Sequence, residues 1–250
     1  MSAPAASVDD LADEQRTLQA VLAGISADEW LRPTPAWGWD VRDTISHLAD
    51  TDEMAVDTVL GGPHALNAVS QASSSGADTT LQGVLRGRRK SGADVLVWWQ
   101  TASATERDTL TALDPTARVP WGLGMRATSF VAARLMETWA HGLDVHAALG
   151  TAPVDTDRLA HVAWLATRAL PYAYTVAKRE PPSGTVRVEL ALPSGATWEY
   201  GPEDADARIT GPVGEYCRVF VQRLARDAAP NLRAEGEAAE SALAVARAYL

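Results

Sequence analysis

Two segments of the sequence contain residues that could bind a metal ion. Glu137 and His141 stand four residues apart in RLMETWAHGLDVH, and His47 lies in GWDVRDTISHLADTDE. A four-residue spacing on an α-helix places two side chains on one face, about 6 Å apart, so a carboxylate and an imidazole can share one ion. Two nitrogens and one oxygen, with a fourth position left for water or substrate, form the ligand set of a catalytic zinc. The sequence predicts such a site, and the alternative is a buried polar cluster satisfied by hydrogen bonds.

The segments that carry these residues have the hydrophobic period of α-helices. Asp40 is placed to cap a helix that has Asp43 at its third position and His47 in its second turn. Four long helices with apolar stripes indicate a bundle, in whose core ligands from facing helices converge. The expected helices run from about Asp9 to Arg32, Asp40 to Leu60, Leu85 to Thr105 and Ala127 to Leu149, with a long surface loop from Gly61 to Gly83.

The character of the sequence changes after a fifth expected helix, near Asp155 to Tyr174. Past the breaker KREPPSG, the segments TVRVELALP, GATWEY and ARITGP alternate and are rich in Val, Thr and aromatic residues, which is typical of short antiparallel strands. Helices return at about Val213 to Arg226 and Glu237 to Tyr249. We therefore expect an α+β protein with an all-helical domain over residues 1–180 and a small α+β domain over residues 181–250.

Composition excludes several classes of function. The formal net charge of the 250 residues is -10, so nucleic acid is not an expected partner in spite of the basic stretch Arg86–Lys90. The N-terminus is acidic where a signal peptide would be basic, and no window approaches 18 uninterrupted apolar residues, so we expect a cytoplasmic protein with no membrane span. The single cysteine, Cys217, has a helical context and is expected to be a buried small hydrophobe.

Three motifs together resemble a known family. The segments WLRPTPAWGWDVRDTISHLADTDE, VPWGLGMRATSFVAARLMETWAHGLDVHAALG and WEYGPEDADARITGPVGEYCRVFVQR are similar to the actinobacterial metal-binding proteins of the maleylpyruvate isomerase type, within the DinB-like superfamily. The resemblance implies a DinB-like four-helix bundle that holds a divalent metal, usually zinc, followed by a small C-terminal domain. By motif position it assigns His47, Glu137 and His141 as the ligands, the same residues that the spacing selects.

The resemblance also implies a class of chemistry. Zinc deprotonates a coordinated thiol, so the implied cosubstrate mycothiol would add to an activated double bond in an isomerase, or attack and remain on a small electrophile in an S-transferase. The first alternative is a thiol-independent hydrolase, lyase or cyclase that uses metal-bound water. The second is a non-catalytic metal-binding or small-molecule-binding protein whose fourth coordination position is filled, for instance by Asp144. The ligand set also suits other divalent metals, and monomer and homodimer both stay open.

Further residues beside the predicted ligands are candidates for the site. Asp144 follows His141 by three residues and could orient its imidazole. Arg134, one turn before Glu137, could pair with that carboxylate or bind an anionic substrate.

Two other groups of residues are expected to face the substrate. Trp39 and the turn from Trp121 to Met125 precede the two ligand-bearing helices and could wall the pocket. The resemblance places an arginine for an anionic substrate in the segment FVQR, which is Arg223, with Arg218 as its competitor.

Overall fold

The computed structural model describes residues 7–67, 76–122 and 124–248. This part of the chain forms two compact units that divide between Pro153 and Val154. The division precedes the boundary predicted near residue 180, because the helix Leu159–Arg168 packs against the helix Val213–Phe220 and so belongs to the second unit. The predicted combination of a helical bundle followed by a small α+β unit is confirmed.

The first unit is a helical bundle. Its elements are α1 Val8–Leu22, α2 Val41–Leu60, α3 Gly76–Gly87, α4 Gly92–Thr111, β1 Arg118–Val119, β2 Met125–Arg126 and α5 Ala127–Leu149. The four longest described helices are α1, α2, α4 and α5, and α1 and α2 each pack against both α4 and α5. A short antiparallel hairpin of strands β1 and β2 precedes α5.

Helix α2 begins as the sequence predicts. The Asp40 side chain accepts a hydrogen bond from the Asp43 backbone N–H at 2.7 Å, and the Asp43 carboxylate accepts one from the Asp40 N–H at 3.4 Å. This reciprocal capping box satisfies two backbone donors that the first helical turn leaves without partners. At the other end Gly61 adopts φ 74°, the left-handed conformation that ends many helices. The ends of α2 therefore fix where His47 lies.

Two of the helices expected in the bundle differ from the prediction. The first ends at Leu22 and is followed by a 3₁₀ turn over Glu29–Leu31. The third is divided into α3 and α4, because Ser91 accepts a hydrogen bond from the Asp94 N–H and starts a new helix there. Helix α3 occupies part of the loop expected from Gly61 to Gly83, and residues 68–75 of that loop lie outside the described residues.

The bundle core is made by apolar faces that recur every three to four residues. It contains aromatic residues from α4 and aliphatic residues from the other long helices, all shielded from solvent. Its buried members are Leu18, Leu22, Trp30, Val41, Ile45, Leu48, Ala49, Val95, Trp98, Trp99 and Val145.

The second unit packs helices against a four-stranded mixed sheet. Its elements are α6 Leu159–Arg168, α7 Leu170–Ala177, β3 Val186–Ala191, β4 Thr197–Tyr200, β5 Ala207–Pro212, α8 Val213–Phe220, β6 Arg233–Glu235 and α9 Glu237–Ala244. The strand order is β4-β3-β5-β6, in which β3 pairs antiparallel with β4 and parallel with β5, and β5 pairs antiparallel with β6. The predicted helix up to Tyr249 ends at Ala244, and Tyr249 lies outside the described residues.

The expectation of antiparallel strands holds for the pairing of β3 with β4 but is wrong for the pairing of β3 with β5, which is parallel. The chain leaves β4 at Gly201 and passes the start of β3, so that β5 runs beside β3 in the same direction. Gly201 permits this passage, since its φ is 92° and a Cβ would lie 2.2 Å from the Val186 carbonyl oxygen.

Cys217 in α8 is fully buried, as the sequence predicts. Its thiol donates to the Leu159 carbonyl oxygen at 3.5 Å, and burial raises the pKa of the thiol well above its usual range.

Within the described ranges, no helix combines the length and the apolarity that crossing a bilayer requires.

Candidate metal centre

Helices α2 and α5 bring the three predicted ligands together. His47 lies one turn after Asp43 on α2, while Glu137 and His141 lie one turn apart on α5. The Glu137 Oε2 atom is 3.8 Å from His47 Nε2 and 3.5 Å from His141 Nε2. One donor atom from each of the three side chains lies within 4.8 Å of the other two. Two helices thus direct two imidazole nitrogens and one carboxylate at a single point.

These separations fit the donor geometry of a divalent cation. Ligand atoms about 2.0–2.2 Å from a tetrahedral zinc lie about 3.3–3.6 Å from one another. The distances of 3.5 and 3.8 Å from Glu137 to the two histidines are close to that value. Three protein ligands leave one position of a tetrahedral ion for a water molecule or a substrate atom. The arrangement therefore has the composition and the spacing of an open metal site.

The protonation states of His47 and Glu137 are those that metal ligation requires. Burial raises the pKa of Glu137, but the close approach of His141 and His47 outweighs burial and holds the pKa well below its usual range. Burial lowers the pKa of His47, which favours the neutral imidazole. Burial also lowers the pKa of His141, yet its hydrogen bond to Asp144 and the nearby Glu137 carboxylate give a net rise. A charged carboxylate and a neutral imidazole are both ready to donate a lone pair.

Asp144 orients the ring of His141. The Nδ1 atom of His141 lies 3.2 Å from Asp144 Oδ2, and Asp144 is only 1 % exposed. Asp144 accepts the hydrogen bond from Nδ1, so in the neutral imidazole of His141 the lone pair is on Nε2, the nitrogen that faces Glu137. Asp144 therefore contacts the ring on the side away from the other two ligands, and it is not placed to fill the fourth position of a shared ion.

Trp39 lies against both histidines. Its ring centroid is 5.1 Å from that of His47 and 6.1 Å from that of His141, with the second pair stacked. The two imidazoles themselves meet edge to face at 4.9 Å. Trp39 is half-buried, so its indole shields one side of the ligand cluster from water. This is the position that the sequence assigns to a wall of the site.

Trp121 lies in the turn between β1 and β2, and its ring packs on Phe130 at 5.2 Å. The same ring has the Arg134 guanidinium carbon 5.8 Å from its centroid. Met125 begins β2 and is half-buried. The predicted role of Trp121 and Met125 toward a substrate stays a prediction.

Arg134 belongs to a buried charge cluster that sequence reasoning missed. Its Nε donates to Glu106 at 2.8 Å and its Nη2 donates to Asp52 at 2.6 Å. The second oxygens of these two carboxylates accept hydrogen bonds from Gln15 Nε2 and Trp99 Nε1. The Nε and Nη2 atoms of the guanidinium therefore donate to partners inside the bundle. The expected role of Arg134 in substrate binding stays a prediction.

A signal for this cluster was present in the sequence. Gln15, Asp52 and Glu106 each stand three or four residues from buried apolar residues and so interrupt an apolar helix face. Polar residues at such positions need buried partners. The sequence does not reveal which partner each one finds.

The candidate arginines lie in the second unit. Arg218 on α8 forms a bidentate ion pair with Asp155, in which Nη2 and Nη1 donate to the two carboxylate oxygens at 2.6 and 2.8 Å. This ion pair explains why an arginine occupies that position. Arg223 donates from Nη1 to the Val221 carbonyl oxygen at 2.9 Å. A role of Arg223 toward the metal centre stays a prediction.

Comparison with known proteins places the chain among its relatives. Two uncharacterized proteins of Mycobacterium tuberculosis, from strains CDC 1551 / Oshkosh and ATCC 25618 / H37Rv, are each 36% identical to it over 250 residues, which is 100% of this chain and 97% of theirs. Crystal structures of the mycothiol-dependent maleylpyruvate isomerase and of a mutant of that enzyme share its fold, with a TM-score of 0.60 and 13% identity over 93% of this chain and 94% of theirs. Residues 11–146, which include all three candidate ligands, match the family described as the mycothiol maleylpyruvate isomerase N-terminal domain, and the chain belongs to this family.

Proposed function

We propose that this protein is a divalent-metal-dependent enzyme that activates a low-molecular-weight thiol for isomerisation or S-transfer on a small electrophilic substrate. The observation that carries the proposal is the convergence of His47, Glu137 and His141 within 4.8 Å, with one imidazole oriented from behind by Asp144. We propose zinc as the ion, because two imidazoles and one carboxylate are a common ligand set of catalytic zinc, and mycothiol as the thiol, because the names of the family and of the related enzyme suggest it.

The residues of the site divide the work of such an enzyme. His47, Glu137 and His141 would hold the ion, which would lower the pKa of a bound thiol. Glu137 balances part of the positive charge, while Asp144 holds His141 in the tautomer that ligates. Trp39 covers the histidines and excludes water from one side, which strengthens the electrostatic interactions at the ligands.

The rest of the chain is compatible with thiol chemistry. Cys217 is buried in the second unit and its pKa is raised, so it is an inert thiol that does not compete as a nucleophile. A low-molecular-weight thiol is kept reduced in the cytoplasm, which is the compartment we propose.

The test combines metal analysis with thiol titration. Purified wild-type protein, His47→Ala and His64→Ala are analysed for bound metals and then titrated with mycothiol by calorimetry. His64 follows α2 and is exposed, so its replacement is the matched control. We expect about one zinc per chain and mycothiol binding in the wild type and in His64→Ala, with both lost in His47→Ala.

Activity assays then separate the reaction classes. Maleylpyruvate, the substrate in the name of the related isomerase, is the first electrophile to test, with and without mycothiol. Turnover that requires the thiol supports the proposal. Bound zinc without thiol binding would replace it with a thiol-independent hydrolase, lyase or cyclase, and the absence of any metal would refute both.

A further inference from the structure

The basic stretch Arg86–Lys90, between α3 and α4, contains the strongest unassigned feature of the helical unit. A run of charged residues usually faces solvent, but the side chain of Arg88 contacts α2. The Nε atom of Arg88 donates to Asp43 at 3.0 and 3.2 Å, and Nη2 donates to the same carboxylate at 2.7 Å. Asp43 has only 2% of its side chain exposed, so this is an ion pair with one buried partner.

The same guanidinium also holds the loop that carries Trp39. Nη2 of Arg88 donates to the Gly38 carbonyl oxygen at 3.1 Å. The loop is closed on itself, because the Thr34 N–H donates to the Trp39 carbonyl at 2.9 Å and the Trp39 N–H donates to the Ala36 carbonyl at 3.0 Å. Gly38 has φ 77°, a conformation that glycine adopts without strain.

Both partners of Arg88 connect directly to the metal centre. Asp43 lies one turn before His47 on the same face of α2. Gly38 immediately precedes Trp39, whose ring packs on His47 and His141. A single side chain therefore joins the first turn of the ligand-bearing helix to the loop that covers the ligands.

We propose that Arg88 is a positioning residue for the metal centre, which holds the Trp39 loop over His47 and His141 by bridging Asp43 and the Gly38 carbonyl. This inference rests on the proposed function, since it assigns Arg88 a part in metal binding. Arg88 acts through Trp39 and α2 and touches neither metal nor substrate.

Arg86 provides a matched control. It lies in the same stretch and is similarly exposed, with 49% of its side chain accessible against 43% for Arg88. Its partners are Glu53 at 2.5 Å and the Trp98 ring at 4.1 Å, which are not part of the Trp39 loop. A general effect of removing a surface arginine will appear in both variants.

The experiment compares wild type, Arg88→Ala, Arg86→Ala and Arg88→Lys. Co²⁺ is the probe, because its visible spectrum reports the geometry of its ligands. We expect Arg88→Ala to bind Co²⁺ about ten-fold more weakly, with an altered spectrum, and Arg86→Ala to match the wild type. Arg88→Lys keeps the positive charge but loses the planar guanidinium that bonds both Asp43 and the Gly38 carbonyl. We therefore expect its Co²⁺ affinity to be close to that of Arg88→Ala.

Hydrogen exchange gives a readout that needs no metal. We expect the amides of Thr34 and Trp39 to exchange faster in Arg88→Ala than in Arg86→Ala, while the centre of α2 keeps its protection in both variants.

The outcomes distinguish two failures. Wild-type Co²⁺ affinity and loop protection in Arg88→Ala would overturn the role of Arg88 alone. Failure of the wild type to bind Co²⁺ would refute the proposed function and, with it, the role of Arg88 in metal binding.

Discussion

The helical unit contains two polar clusters that share helices α2 and α5, and they differ in how their members are satisfied. In the first, the Arg134 guanidinium donates hydrogen bonds of 2.6 and 2.8 Å to the side chains of Asp52 on α2 and Glu106 on α4. Around Glu137, two imidazole nitrogens and a carboxylate face one another at 3.5 and 3.8 Å, outside good hydrogen-bond distance. The first cluster is complete in itself, whereas the second directs three metal-ligating side chains at one point.

The contrast separates buried polar groups that stabilise the fold from those that could bind a ligand. A paired cluster fixes the register of the helices that contribute to it, and the loss of one partner should destabilise the bundle. A cluster of lone pairs should bind an ion, and its removal should leave the fold intact. Each of the following variants tests one side of this contrast.

The largest effect is expected for His141→Ala. Mutation of a residue that only orients a ligand typically reduces metal affinity about 10- to 100-fold. Removal of one of the three ligands should reduce it by more than that. Metal content and Co²⁺ titration measure this, and the urea midpoint of the metal-free protein should change little. The control is His146→Ala on the same helix, since His146 bonds Thr151 and is not part of the ligand cluster. Stoichiometric zinc in His141→Ala would refute the site.

Replacement of Arg134 by Met should have the opposite pattern. Asp52 and Glu106 would stay buried without their cation, which costs about 3–5 kcal/mol of unfolding free energy. Urea unfolding measures the loss, and Arg118→Met, at an exposed position, is the control. A cost below about 1 kcal/mol would show that the Arg134 cluster does not stabilise the bundle.

The pH dependence of stability reports on Glu106. Burial, together with the nearby charge of Asp52, raises the pKa of Glu106 from 4.5 to about 8. A carboxyl that holds its proton more tightly when folded stabilises the protein most below pH 4.5, and that contribution is lost as the pH rises through about 8.

Glu106→Gln cannot ionise, so its unfolding free energy should vary less with pH. Between pH 5 and 8 we expect the wild type to lose on the order of a few kcal/mol relative to the variant. Urea titrations across this range measure the difference. Parallel curves for the two proteins would contradict the raised pKa.

The smallest effect is expected for Asp144→Asn. The amide keeps the shape of the side chain but weakens its hold on His141 Nδ1, so metal affinity should fall about ten-fold with little change in melting temperature. Competition with a chelator measures the affinity. An unchanged affinity would mean that Asp144 serves packing alone.

Local patterns in the sequence predict the two parts of the ligand cluster, and the resemblance to a known family joins His47 to Glu137 and His141. Glu137 and His141 are related by one helical turn, and the Asp40–Asp43 capping box fixes the start of the helix that carries His47. Hydrophobic periodicity likewise predicts the bundle. These features depend on residues within a few positions of one another.

The features that sequence reasoning missed depend on distant partners. Arg134 takes its partners from α2 and α4, and Arg88 reaches Asp43, 45 residues away. The parallel pairing of β5 with β3 depends on the path of the chain past Val186. None of these choices has a local signature, because several pairings satisfy the same residue types.

The burial of Cys217 has a practical consequence for spectroscopy. It is the single cysteine of the chain and has no exposed surface. A maleimide dye or nitroxide should therefore attach selectively to a cysteine introduced at an exposed position, such as Trp37, which is 97% exposed. The loop beside Trp39 can then carry a reporter in an otherwise native protein.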